Sequence, residues 1–372
     1  MTKQPAAISD IGRLDQVDGL RAIAILWVAI YHYAVFWTPA GKGDPLVPYG
    51  DMLAGIPLAG VGFLGVNLFF IISGFVIAFS LTRSAGIGQF AVLRAIRLWP
   101  TMVICASITF VLTRTFGPDE FLRSPLEYLI SLSFVPPPHV GKIIGQPGLE
   151  WLDGAYWSLW TEVRFYAIAA ILFFTARRRF LLLWTMFAIL SMAVHLLGLT
   201  KGGVFDALSR LIFAEYQPYF SAGIALAMLR ANTQRGGALA LLSLACGQAL
   251  AYAVLPADTF PAPTLIGIAI VFALAIPTVL TRRAVPILSW GGVVLAGQAS
   301  YAYYLLHQNA GLALLGALAP GNGIASVIVM IAVQVGLLAG AIVLTTRIEA
   351  PLRGALRKRL GSRSAHAIGS PS

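Results

Sequence analysis

Charge is what this sequence has least of. Only 11% of its 372 residues are Asp, Glu, Lys or Arg, against about 25% in an ordinary soluble domain, while 58% are hydrophobic and the mean hydropathy is +0.81. A single soluble globule and a disordered chain are both excluded. Cysteine is almost absent: Cys105 and Cys246 each sit inside an apolar run, with no CxxC pair and no His or Asp at ligand spacing. Neither a disulfide framework nor a metal site is expected. Acidic residues are scarce too, 15 against 26 Lys and Arg, for a net charge of +11. In a soluble protein that balance raises the question of nucleic acid. Here the basic residues lie mostly in short loops between apolar runs, so the charge reads as membrane topology and no nucleic-acid partner is expected. No small-residue cleavage signal follows the first apolar run, so that run reads as a retained span.

What is present is apolar sequence of spanning length. Runs fall near 20–38, 62–82, 98–114, 157–176, 180–198, 210–230, 237–255, 262–281, 299–318 and 323–346. At roughly 20 residues per crossing these predict an all-α polytopic membrane protein of about ten transmembrane helices. The apolar stretch Leu126 to Val135 is too short to cross and is expected to be re-entrant or interfacial, within the long loop 115–156. Of the 26 basic residues, 19 fall on one side, among them Lys3, Arg13, Arg21, Arg94, Arg97 and the run Arg357, Lys358, Arg359 and Arg363. Both termini are therefore expected to be cytoplasmic. Residues 1–350 read as one transmembrane domain and 351–372 as a basic cytoplasmic tail, mobile beyond Arg363. No repeat of fixed period is visible.

Ionisable groups inside spans cost about 2.5–3.5 kcal/mol each on insertion scales, so each is a functional candidate. They are His32, Glu162, Arg164, His195, Glu215 and His307. The sharpest pattern is Asp18-Gly19-Leu20-Arg21 followed by His32. Eleven residues at 100° each return to within 20° of the same face, so Arg21 and His32 share one side of a helix, about 16 Å apart along its axis. A phosphate-bearing donor held by Arg21 reaches His32 only through a long thin arm, and the pantetheine arm of coenzyme A has about that length. A neutral imidazole at that point can take the proton of an attacking hydroxyl, as transfer from a thioester requires. A plainer role fits equally: Arg21 as one more positive-inside anchor and His32 as a core histidine bonded to a neighbouring helix.

Other motifs carry the same pair of readings. Arg94 and Arg97, at i and i+3 before Trp99-Pro100, suit the nucleotide end of a charged donor or simple topology. In Trp157-Ser158-Leu159-Trp160-Thr161-Glu162-Val163-Arg164-Phe165-Tyr166, the tryptophans belong at the outer interface. Glu162 either pairs with His32, orients an acceptor hydroxyl, or bonds structurally to a neighbouring helix. Arg164, two residues on, does not face it. Tyr303 and His307, at i and i+4, share a face in Ser300 to His307, and His307 is read as more structural than catalytic. Asn67 is placed to bond a sugar or another helix, and Ser73 and Gly74 are read as close-packing residues. His195, Glu215 and His139 lack companions at catalytic spacing.

Together, Val17 to Arg21 with the spacing to His32, Asn67 to Phe75, Arg94 to Pro100, Trp157 to Tyr166 and Ser300 to His307 resemble, in order and over some 290 residues, the bacterial integral-membrane acyltransferase 3 family. The resemblance implies about ten helices with cytoplasmic termini, in the bacterial cytoplasmic (inner) membrane. It implies His32 as the catalytic histidine with Glu162 as a pocket acid, and Arg21, Arg94 and Arg97 as contacts to acyl-coenzyme A. Asp18, Asn67, Ser73, Trp157, Ser158, Tyr166, Tyr301 and His307 complete the expected pocket. Position 67 is Asn where the family often has Asp, and the first span holds a single His where many members have two. The chain stops at Ser372 without the hydrolase-like extension of some members, which is the pattern of the stand-alone branch.

The function expected is an O-acyltransferase that moves an acyl group, most simply acetyl, from cytoplasmic acyl-coenzyme A to a hydroxyl of a surface or exported glycan or a lipid-linked saccharide, without a metal. The rival from another class is a secondary transporter or flippase that uses His32, Glu162 and Arg164 as a substrate or proton path. The acceptor, the acyl chain and the oligomeric state are not legible in the sequence.

Overall fold

The computed structural model of the protein describes residues 14–42, 46–257, 259–319, 321 and 323–356. Among these residues there is no strand, as lipid demands of a chain that must satisfy its own backbone groups within each crossing. The helices are α1 (Asp15–Tyr31), α2 (Pro39–Lys42), α3 (Gly65–Thr82), α4 (Ile87–Phe116), α5 (Pro125–Ser131), α6 (Pro137–Ile144), α7 (Trp157–Thr175), α8 (Phe180–Lys201), α9 (Gly203–Leu211), α10 (Gln217–Arg230), α11 (Arg235–Val254), α12 (Ala262–Leu280), α13 (Gly291–Leu306), α14 (Asn309–Leu318) and α15 (Ile324–Val343). Turns of π-helix, His32–Phe36 and Leu344–Glu349, prolong α1 and α15.

Eight helical stretches among the described residues are long and apolar enough to cross a membrane. The other two expected spans, 210–230 and 299–318, are interrupted. In the first, Phe213 takes a left-handed backbone, φ 48°, and Pro218 opens α10, so only 14 residues form a helix and Glu215 lies in the preceding turn. In the second, α13 ends at Leu306 and α14 restarts at Asn309, leaving His307 and Gln308 at the break. Apolar composition alone cannot reveal such breaks, because lipid-facing and protein-facing residues are equally hydrophobic. The segment Leu126 to Val135 holds α5, seven residues capped by a reciprocal Ser124–Glu127 box, far too short to cross. Helix continues through Leu356, so residues 351–356 extend the last span. Lys3, Arg13 and the basic run Arg357 to Arg363 lie outside the described residues.

The chain forms two compact units built from interleaved segments. The first takes in the described residues of Met1–Pro45, Gly50–Ile87 and Trp157–Gly297. At its centre α3 packs along α10, with α1, α7 and α12 against α3 and α8, α11 and α12 against α10. Both central helices are apolar on all sides, which suits an element enclosed by other helices. The second unit takes in the described residues of Leu46–Tyr49, Gly88–Tyr156 and Gln298–Ser372. There α4 meets the end of α13, where Cys105 Sγ lies 3.7 Å from the Ala302 carbonyl and Thr109 Oγ1 donates to Leu305 O at 3.4 Å. Ile328, Ile331 and Val335 form an exposed stripe on α15, as a lipid-facing helix requires.

Candidate active site

In the first unit, α1 starts with Asp15 and Asp18 in its first turn, where carboxylates suit the helix dipole. Asp18, 2% exposed, accepts from the Arg21 guanidinium at 2.7 Å. Gly19 fits because a Cβ there would stand 2.2 Å from the Leu288 carbonyl oxygen. The Asp-Gly-Leu-Arg motif thus joins an ion pair to a close helix approach. His32 opens the π-turn, in which Trp37 N–H reaches back to the His32 carbonyl at 3.1 Å. Such turns recur at functional sites. His32 Nδ1 lies 3.0 Å from the Val28 carbonyl. A carbonyl only accepts, so Nδ1 carries the proton and the imidazole lone pair is on Nε2. The rings of Tyr31 and Phe36 meet the imidazole edge-on at 5.4 and 5.5 Å.

The register between α1 and α3 decides which residues accompany His32. Gly65 faces the Ala24 carbonyl, and Gly62, one turn earlier, faces the Trp27 carbonyl, each 2.4 Å from where a Cβ would stand. The two segments are therefore antiparallel, and Ser73 comes level with Gln16, about 3 Å along the axis from Asp18. His32 lies about 24 Å further along the bundle. Ser73 Oγ donates to Glu162 Oε1 at 2.6 Å, and the Tyr166 hydroxyl donates to the same oxygen. This corrects two expectations. Glu162 is not a partner of His32, and Ser73 is a hydrogen-bond donor as well as a packing residue. Gly74 keeps its packing role against Phe220 of α10. Neither outcome is readable locally, because helix register is set where backbones touch.

Asn67 bonds the Tyr219 hydroxyl on α10, which is the helix-bonding reading. Ser158 is buried, and the Trp157 ring packs against Phe70 and Tyr216 at 6.4 and 5.1 Å. Arg164 turns away from Glu162. It donates to the Arg210 and Leu211 carbonyls at the end of α9 and to Thr161 Oγ1, with its guanidinium 5.0 Å from the Trp160 ring centre. A cation on C-terminal carbonyls is a structural clamp. His195 bonds Ser209 at 3.0 Å and lies against Tyr252, so its companions are structural.

In the second unit, Arg94 and Arg97 are half-buried on one face of α4, with Arg94 lying 5.7 Å from the Phe90 ring centre. Trp99 Nε1 donates to Leu132 O at 2.8 Å and the Tyr301 hydroxyl to Leu98 O at 3.2 Å. His307 is fully buried at the helix break, with Nδ1 2.8 Å from the Tyr304 carbonyl and its ring between those of Tyr303 and Tyr304.

One residue escaped sequence reasoning. Asp153, fully buried, accepts from the Ala155 and Asn309 N–H groups at 2.8 Å each, and so caps the restart of the broken helix at α14. Burial pushes its pKa from 3.8 up to about 7, against the pull of those two N–H bonds and of Arg123. The only local signal is Asp-Gly in a long loop, which turns share in general.

These features define a multi-pass membrane protein with a histidine, an arginine and a hydrogen-bonded carboxylate set within its bundle. The model of the acyltransferase 3 family, described as an acyltransferase domain, matches residues 14–346, and the chain belongs to that family. No curated protein and no solved structure matched it. Membership makes the protein a membrane acyltransferase and sets aside the transporter reading.

Proposed function

We propose that this acyltransferase moves an acyl group, acetyl in the simplest case, from cytoplasmic acyl-coenzyme A to a hydroxyl of a glycan or lipid-linked saccharide, in a bacterial cytoplasmic membrane with both termini cytoplasmic. The observation that carries the reading is the 3.0 Å contact of His32 Nδ1 with the Val28 carbonyl. With Nδ1 donating to the Val28 carbonyl, the lone pair of the neutral ring falls on Nε2, and helix periodicity puts His32 on the face that bears Arg21. Arg21, about 16 Å away along α1, matches a phosphate group separated from its thioester by the pantetheine arm. Arg94 and Arg97 are the further cations suited to donor phosphates.

In the reaction, His32 Nε2 takes the proton of the acceptor hydroxyl as its oxygen attacks the thioester carbonyl. The tetrahedral adduct collapses with loss of the carbon–sulfur bond, and the imidazolium returns the proton to the departing sulfur, leaving an ester and free coenzyme A. General-base assistance of this kind supplies typically 10²–10⁴-fold.

The test is coenzyme A release from labelled acetyl-coenzyme A by purified protein in lipid, for the wild type, His32→Ala and Arg94→Ala. Turnover is expected in the wild type, a fall of at least about 100-fold in His32→Ala with donor binding kept, and weakened donor binding in Arg94→Ala. A folded His32→Ala protein that turns over like the wild type overturns the mechanism.

A further inference from the structure

Glu162 is the least explained residue of the first unit. Its neighbours on the same stripe of α7, Ser158, Leu159, Phe165, Tyr166 and Ala169, are all buried, so the stripe faces protein and not lipid. Glu162 alone on it is only half-buried, which opens its carboxylate onto accessible space. Both of its hydrogen bonds, from Ser73 and Tyr166, end on Oε1. Oε2 has no partner. A carboxylate held on one oxygen and open on the other is a directed hydrogen-bond acceptor, ready for an N–H or O–H of a ligand.

Depth decides which ligand. Ser73 is level with Gln16, and the Arg21 guanidinium is drawn to within about 3 Å of that level by its bond to Asp18. His32, where the acceptor hydroxyl must lie in the proposed reaction, is about 24 Å away. A group bound at Glu162 therefore belongs to the donor. Next to the diphosphate of coenzyme A come the pantoyl hydroxyl and the first amide N–H, both able to donate a hydrogen bond to a carboxylate. We propose that Glu162 Oε2 accepts a hydrogen bond from this part of the pantetheine arm, with Ser73 and Tyr166 holding the carboxylate in place, so that the cluster selects the donor and is not an auxiliary of the base. The inference rests on the acyl-coenzyme A reading above.

Glu162→Gln tests it, because the amide oxygen still accepts from Ser73 and Tyr166 while an NH₂ replaces Oε2. Binding of coenzyme A and of adenosine 3′,5′-bisphosphate, which lacks the arm, is measured on purified protein in lipid nanodiscs by equilibrium dialysis. Expected is a 10- to 100-fold loss for coenzyme A, the range of about one charge-assisted hydrogen bond, with the bisphosphate bound as by the wild type. Glu162→Asp, which withdraws the carboxylate by one methylene, is expected to fall between the two and serves if the glutamine protein does not fold. Coenzyme A bound equally by wild type and variant overturns the proposal, as does an equal loss of both ligands, the mark of a structural role. A wild-type protein that binds neither ligand overturns the coenzyme A reading itself.

Discussion

The contact between α3 and α10 offers the strictest test of how the first unit is held together. A Cβ on Gly74 would stand 2.3 Å from the Phe220 carbonyl oxygen, and one on Gly223 would stand 2.1 Å from that of Ile71 and 2.6 Å from the Phe75 nitrogen. Ordinary contact begins near 3.4 Å, so either alanine forces the helices about 1 Å apart. The atoms struck are backbone in the two most enclosed helices of the unit, so no side chain can swing away. A gap of 0.5–1 Å forfeits a quarter to a half of each van der Waals well along the interface. Each single variant is therefore expected to cost about 3 kcal/mol, at the top of the usual range for overpacking. The two glycines face each other across one interface, so one separation accommodates both methyl groups, and Gly74→Ala/Gly223→Ala is expected to cost well under the sum. Gly247→Ala on α11, where a Cβ meets nothing within 4 Å, is the control and should be neutral or stabilising by about 0.5–1 kcal/mol. Unfolding in mixed micelles with increasing denaturing detergent gives these differences. Single variants within about 1 kcal/mol of the wild type, or costs that simply add, would refute the reasoning.

Two further outcomes follow from charges placed by the fold. Asp153 holds its proton up to about pH 7 when folded, against 3.8 as a free side chain, so its contribution to stability is full below about pH 4 and is lost as pH rises through 7. The span of the effect is about 4 kcal/mol; thermal unfolding between pH 4.5 and 8.5 should lose this slope in Asp153→Asn, and a variant that keeps the wild-type slope argues against the assignment. Arg164 satisfies two carbonyls at the end of α9, so Arg164→Leu is expected to cost about 2–3 kcal/mol and to expose α9 to proteolysis, with Arg164→Lys restoring only part because an ammonium lacks the planar fork. Cleavage of α9 at the wild-type rate in the leucine variant would show that the clamp is idle.

Much of the protein was legible from local pattern. The apolar runs announce a polytopic helical protein because a span must be both long and uncharged, and eight of them are single helices. The face shared by Arg21 and His32 follows from helix periodicity, and the isolation of Arg164 from Glu162 follows from their separation by two residues. The blocks from Val17 to His307 sufficed to mark the acyltransferase 3 family, whose match to residues 14–346 covers them all.

Everything that depends on two distant segments touching had to come from the tertiary structure. Ser73 and Glu162 are 89 positions apart, and nothing near either residue says that they bond. The register that separates Glu162 from His32 is set where Gly62 and Gly65 let α3 and the turn before it approach the backbone of α1. Asp153 stabilises the start of a helix 156 residues downstream, and the break at His307 and Gln308 falls in a run of spanning length whose polar residues His307, Gln308 and Asn309 do not by themselves announce a helix end. Composition and periodicity report what each residue prefers, which is enough to build helices and direct them across a lipid layer. Which polar groups meet inside is decided by backbone contact and by the cost of leaving a buried donor or acceptor unpaired, and both are properties of the assembled bundle.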